Sequence, residues 1–277
     1  MSRSASPSAA SRLAEIGAAL LGGTLHRADP IDGGDLSDVI RIVLADGREA
    51  IVKGGPAPHV EAAMLRAIAA AGAPAPAVLA ASDDALVIEI LRSGGRLDDA
   101  WASLGTALAR LHATTGDRYG WHRDCAFGPV AIVNAWTDDW PTFWAERRLL
   151  THAPHVPAAV ARRLETLAAD LKNRLPARPR PALLHGDLWG GNVLVAGDRI
   201  TGLIDPACCH GHAEVDLAML ALFDRPGRDF FDAYAPLEPG HAQRSAVYSL
   251  WPALVHLRLF GAGYRSMVER FLQASGV

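Results

Sequence analysis

Lysine is almost missing from this chain: of its 27 basic residues only Lys53 and Lys172 are lysines, and the other 25 are arginines. Cysteine is scarce too. Three residues, two of them adjacent at Cys208 and Cys209, make a poor disulfide framework and fit a reducing compartment, so a cytoplasmic protein is expected. No apolar stretch runs for the roughly 18 residues that would suggest a membrane-spanning helix. Charge of one sign is not in excess. A formal net charge of −3 and a pI near 6.4 give no electrostatic pull toward nucleic acid or an anionic membrane. The opening segment MSRSASPSAASRLAEIGAALLGG carries Glu15 inside its apolar part and shows no convincing cleavage site. It reads as an unstructured start, residues 1–14, leading into a helix. There is no internal repeat and no heptad pattern.

What is present divides into two compositional parts. Half of the 277 residues are hydrophobic, enough for one large core or two lobes. From about residue 36, LSDVIRIVL and REAIVK read as two strands joined by a tight turn at Asp46-Gly47. VEAAMLRAIAAAG follows, with Val60, Met64, Ala67 and Ile68 at helical spacing and Gly72 at its end. APAPA is a connector, ALVIEI a short strand and LRSGGR a flexible crossing. Beyond it the pattern turns helical. In LDDAWASLGTALARLHA, Leu97, Trp101, Leu104, Leu108 and Leu111 form one apolar stripe. The expected fold is α+β: a small N-terminal lobe over 1–91 with a β-sheet and one main helix, a hinge at 92–96, and a larger, mainly helical lobe over 97–277.

Lys53 ends the apolar segment EAIVK, just before Gly54-Gly55. A compact, rotatable ammonium reaches a phosphate where a planar guanidinium does not fit. Taken alone, the same residue reads as a strand-end lysine snorkelling to water. The stronger signal is LLHGDLWGGNVLVAGDRITGLIDPA. Here NVLV and ITGLID read as two strands of a hairpin turning at AGD. Its outer ends meet, which places Asn192 beside Asp205, with Asp187 at the mouth of the preceding loop. Two hard oxygen donors on adjacent strands suit Mg²⁺, and Asp187 is placed to accept a proton from an attacking hydroxyl. The spacing, H-x-D with Asn five residues on and a further Asp beyond, is that of the protein-kinase catalytic loop. A bare His-Gly-Asp would say little; the whole combination is far more specific. Beside it Lys53 gains a partner in Glu61, on the following helix, and the pair would hold the α- and β-phosphates of ATP. The loop DGGDLSD, with Gly33, Gly34, Asp35 and Ser37, is the candidate phosphate cover, although it lacks a full G-x-G-x-x-G. Adenine is expected against VIEIL, which carries Glu89 and Leu91.

Two absences narrow the acceptor. Gly186 stands between His185 and Asp187 where a protein kinase has arginine, and only ten residues separate Asp205 from Asp216. That is too short for an activation segment and a peptide platform, so a small molecule or a single modified side chain is expected. At this point the chain resembles the fructosamine kinase (ketosamine-3-kinase) family, within the aminoglycoside-phosphotransferase and choline-kinase group. LLHGDLWGGN, DPA and EVDLAMLALF carry the resemblance. GGDLSDVIRI, NAWTDDWPTFWAERRL, FFDAYAPLEPG and LFGAGY extend it from about residue 15 to the end, and Trp189 is its most specific residue. The resemblance implies a two-lobed kinase-like fold. It also implies ATP-dependent phosphorylation of the sugar 3-hydroxyl of ketoamines formed by glycation. Asp187 would be the base and Asn192 and Asp205 the Mg²⁺ ligands, with Lys53 and Glu61 positioning phosphate; His185 and Asp216 would brace the loop. Other small-molecule kinases of this fold, and a nucleotide-binding pseudokinase, are the alternatives.

The stretch IDPACCHGHAEVD looks at first like a metal nest. Adjacent cysteines diverge in an extended backbone, however, and no second C-x-x-C or H-x₃-H completes a zinc site, so the cysteines read as packing residues. The segment Cys209 to Ala213 departs from the family pattern where the family borders its acceptor pocket. His210, His212 and Glu214 are therefore candidate acceptor contacts, together with Trp189 and Trp136. Trp140 suits core or sugar equally, Asp138 or Asp139 caps the helix after it, and His152 and His155 read as solvated.

Overall fold

The computed structural model describes residues 9–31 and 38–277. Gly33, Gly34, Asp35 and Ser37 of the expected phosphate loop lie outside the described residues. The first helix, α1 (Ala9–Leu20), begins earlier than the sequence suggested, so residues 9–14 are helical. Its Leu13, Ala14, Gly17 and Ala18 are buried against the sheet that follows.

The N-terminal part is a five-stranded antiparallel sheet. Its strands are β1 (Leu25–Pro30), β2 (Val39–Leu44), β3 (Glu49–Lys53), β4 (Val78–Ala81) and β5 (Leu86–Ile88), in the order β1-β2-β3-β5-β4. Helix α2 (Pro58–Ala70) crosses between β3 and β4. The β2–β3 turn falls at Asp46-Gly47, where Gly47 has φ 87° and the Arg48 N–H donates to the Asp46 carboxylate at 3.0 Å. On β2, Ile40, Ile42 and Leu44 alternate inward, the period-2 signature of a half-buried strand.

The rest is mainly helical. Helix α3 (Trp101–Ala113) buries Leu104, Leu108 and Leu111. Next come the hairpin of β6 (Cys125–Phe127) and β7 (Val130–Ile132), then α4 (Trp140–Phe143). A π turn and a 3₁₀ turn lead on from α4 through His155 to α5 (Ala158–Arg174). Asp139 caps α4 by accepting the Thr142 N–H at 2.9 Å, while Asp138 pairs with Arg118 at 2.7 Å. Trp140 belongs to the core: it is fully buried and donates through Nε1 to the Tyr248 hydroxyl at 3.0 Å. His152 is buried too, contrary to the solvated reading, because the 3₁₀ turn packs its ring inward; burial lowers its pKa to about 3. Strand β8 (Ala182–Leu184) leads into the loop of interest. Then follow β9 (Val193–Ala196), β10 (Arg199–Leu203), β11 (Cys209–Gly211), α6 (Glu214–Phe223), α7 (Arg228–Tyr234), α8 (His241–Phe260) and α9 (Arg265–Ala274). Gly105 lets α3 lie directly on α7, since a Cβ there would strike the Phe230 carbonyl. Among the described residues no helix is long and apolar enough to cross a membrane.

Candidate active site

The site is built on a hairpin. Strands β9 and β10 pair antiparallel, with Val193 opposite Leu203, and the Ile204 N–H donates to the Asn192 carbonyl at 3.0 Å. The open end of the ribbon thus sets Asn192 next to the chain that carries Asp205. Asp205 has φ 54°, the only non-glycine in the left-handed region among the described residues. Such a conformation persists where surrounding contacts over-determine it. Between β8 and the hairpin lies the loop with Asp187. The Asn192 side-chain Nδ2 donates to both the backbone oxygen (2.8 Å) and the carboxylate Oδ2 (3.0 Å) of Asp187. Both hydrogen bonds of this amide leave from Nδ2, so Oδ1 remains as a hard oxygen donor.

Buried groups hold the loop from behind. The Asp216 carboxylate, at the start of α6, accepts the N–H groups of His185 (2.7 Å) and Gly186 (2.9 Å) and a bond from His112 Nε2 (3.1 Å). Burial alone would raise its pKa, but these bonds outweigh burial and hold it below the ordinary carboxylate value. His185 bridges the loop to the hairpin: Nε2 donates to the Ile204 carbonyl at 3.0 Å and Nδ1 accepts the Asp187 N–H at 3.3 Å. That pattern is the neutral imidazole, and burial lowers the His185 pKa accordingly. Gly186 has φ 82°, and a Cβ there would run into the Ala207 carbonyl oxygen. Glycine is what the turn requires, which accounts for the absent arginine.

Lys53, at the end of β3, reaches across to this loop. Its Nζ pairs with Glu61 of α2 at 2.5 Å and with the Asp205 carboxylate, inside an almost closed pocket of side-chain exposure 7%. Burial opposes the ammonium, but the two carboxylates outweigh it and raise the Lys53 pKa above its ordinary value. For Asp187, burial dominates. It pushes the carboxyl up to about 7, against the Asn192 hydrogen bond and with the neighbouring Asp205 and Asp216 adding to the rise. A carboxyl titrating near neutrality is suited to exchange a proton with a hydroxyl.

Lys53, Glu61, Asp187, Trp189, Asn192 and Asp205 all line one cleft of about 590 Å³. Two further cofactor expectations, Glu89 and Leu91, do not. Glu89 turns its carboxylate onto the Ala77 N–H (3.0 Å), and Leu91 packs against Gly202, outside this cleft. Four of the acceptor expectations are corrected. Strand β11 pairs with β8 and runs along the back of the catalytic loop, so its side chains are kept from the cleft. His210 stacks on Trp136 and meets Trp121 instead. His212 is buried against the Tyr248 hydroxyl at 2.8 Å, and both Glu214 oxygens are gripped by Arg244 at 2.5 and 2.7 Å. His212, Glu214 and Glu238 are near enough to share an ion, yet the Arg244 guanidinium already supplies the positive charge there. Cys208 and Cys209 are buried thiols whose pKa values burial raises.

Sequence reading missed the opposite wall of the cleft. Phe223 at the end of α6, Trp251, His256 and Phe260 on α8, and Tyr264 just after it form that wall. The available signal was His256, Phe260 and Tyr264 at four-residue spacing, one face of a helix and its continuation.

The profile of the fructosamine kinase family matches residues 21–275. A protein named a probable ketoamine kinase in Lactiplantibacillus plantarum is 31% identical, over 90% of this chain and 94% of its own. A second, in a Synechocystis strain, is 37% identical over 68% of this chain and 66% of its own length. The crystal structure of a provisionally named fructosamine-3-kinase from Thermobifida fusca superposes with a TM-score of 0.86 at 32% identity, covering 95% of this chain and 98% of that one. A macrolide 2′-phosphotransferase from Brachybacterium faecium, 19% identical with a TM-score of 0.60, shares the fold alone, covering 96% and 98%. The architecture, an antiparallel N-terminal sheet before a larger helical part, is the protein-kinase-like one, and the chain belongs to the fructosamine kinase family.

Proposed function

We propose that this protein phosphorylates a sugar hydroxyl of ketoamines, the 3-hydroxyl of fructosamine or ribulosamine adducts, with ATP as donor. The observation that carries this reading is the convergence of Asp187, Asn192, Asp205 and Lys53 on one cleft, from a sheet and a hairpin far apart in sequence. Membership of a kinase family implies ATP and a divalent cation, here taken as Mg²⁺. The donor set fits: Asn192 Oδ1 and the Asp205 carboxylate are hard oxygens on the same cleft. When bound, the cation would neutralise charge on the phosphate oxygens.

The chain's own residues supply the rest. Lys53, steadied by Glu61, neutralises phosphate charge from the sheet side. Residues 92–96 act as the hinge between the two parts. Asp187 accepts the proton of the sugar hydroxyl as that oxygen attacks, and Asn192 holds the carboxylate in place through Nδ2. Most of the acceleration then comes from positioning and charge stabilisation. Purified protein with Mg·ATP should form ADP in step with 3-phosphorylated fructoselysine or ribuloselysine, resolved by mass spectrometry and NMR. Transfer only to free sugars or an aminoglycoside, or ATP hydrolysis without transfer, would reject the assignment.

A further inference from the structure

Beyond the reacting groups, the cleft wall is a run of aromatic rings. It starts at Trp189 on the catalytic loop and passes to Phe223 (ring centroids 6.2 Å apart), then to His256 (5.0 Å). From His256 it reaches Phe260 (5.4 Å) and Tyr264 (5.0 Å). Exposed large apolar side chains are few among the described residues, yet Trp189 (41%), Phe223 (40%) and Phe260 (46%) gather at this one mouth. The carboxylates lining the cleft are Glu61, Asp187 and Asp205; two of them hold Lys53 and the third is the base. Beside the rings, the Asp224 carboxylate is turned onto the Gly190 N–H at 2.7 Å. The one imidazole of the aromatic side, His256, donates Nδ1–H to the Pro252 carbonyl at 2.8 Å, which leaves Nε2 as a hydrogen-bond acceptor. Burial lowers the His256 pKa and favours the neutral ring, which does not repel a cation.

We propose that Phe223, His256, Phe260 and Tyr264 form a subsite for the amine-side substituent of the ketoamine, selecting a flat aromatic or apolar group attached through one secondary ammonium. The inference rests on the kinase reading above and specifies its substrate class. With the sugar hydroxyl at Asp187, the substituent extends along the cleft toward these rings. Ring faces attract the ammonium itself by cation–π interaction, and the substituent beyond it is taken out of water.

The test is steady-state phosphoryl transfer by the full chain with Mg·ATP to two fructosamines that differ only in the amine, phenethylamine and ethylamine. The phenethyl adduct is expected to show kcat/KM higher by about 10-fold or more, the scale on which an apolar pocket discriminates. Phe260→Ala and Phe223→Ala, both at partly exposed positions, should each bring that ratio toward one. Trp136→Ala, a ring outside the cleft, should leave it unchanged. Equal kcat/KM for the two adducts in the unmodified protein, or a ratio retained in both ring variants, would overturn the subsite while leaving the kinase assignment standing. Failure of both adducts while fructoselysine is phosphorylated would overturn the subsite alone; failure of all three would remove the kinase assignment, and the subsite with it.

Discussion

Asp187 is a carboxyl whose surroundings favour its protonated form. Its ordinary pKa of 3.8 is pushed up to about 7 by burial, and the one strong opposing contact is the Asn192 amide. A base must be ionised to act, so kcat/KM should rise with pH and reach half its plateau near 7, since this profile reports the free enzyme. Asp187→Asn keeps the shape and should lower turnover by about 10²–10⁴ with ATP affinity retained. Near-normal turnover in that variant would remove Asp187 from the chemistry. The same shift acts on stability with a definite sign. Between the unfolded value of 3.8 and the folded value of about 7, the native state holds a proton that the unfolded chain has released. The contribution is therefore present below about pH 4 and lost as pH rises through 7. Asp187→Asn should flatten the pH dependence of the urea midpoint across that interval.

At the scale of elements, the N-terminus of α6 secures the catalytic loop. One buried carboxylate, Asp216, satisfies two backbone N–H groups of the loop and one ring nitrogen of α3. Removing it would leave three buried donors unpaired, so Asp216→Ala should cost about 3–5 kcal/mol in denaturant unfolding. A loss below about 1 kcal/mol would mean that water replaces the carboxylate at no cost and the brace is dispensable. The hairpin β9–β10 was legible in the sequence because its geometry is local: turn residues at AGD fix the register, and the register fixes which side chains meet. Strands β1 and β4 were not, and they are the two edges of the sheet. Edge strands need only one paired side; β1 ends in Pro30 and is mostly exposed, and β4 follows a proline-rich connector, so neither shows the alternation that marked β2. The aromatic wall was hidden for another reason. Phe223 and the rings of α8 meet only when α6 packs on α8, a contact between helices with no local signature. The departures at Cys209 to Ala213, which drew attention to β11, fall behind the loop because β11 pairs with β8.

The whole molecule is joined at the cleft by charge. Lys53 belongs to the sheet, Glu61 to the helix crossing it and Asp205 to the hairpin of the helical part, so one ammonium ties the two parts together. That tie pairs the cation with two carboxylates, and it uses the very groups assigned to nucleotide and metal. Mg·ATP would supply phosphate to Lys53 and a cation to Asp205, replacing one bridge between the parts with a larger one. A ligand that binds only the folded state stabilises it by about 2.7 kcal/mol at a hundred times its Kd. For a chain of this size that corresponds to a rise in Tm of about 5 °C. In Asp205→Ala the added effect of Mg²⁺ over ATP alone should vanish, because the carboxylate that would hold the ion is gone while Lys53 remains. A thermal-shift titration of ATP with and without Mg²⁺ measures this directly. An Mg²⁺-dependent increment of the same size in the variant would place the ion elsewhere, and the role of the hairpin would shrink to holding Asn192 against the base.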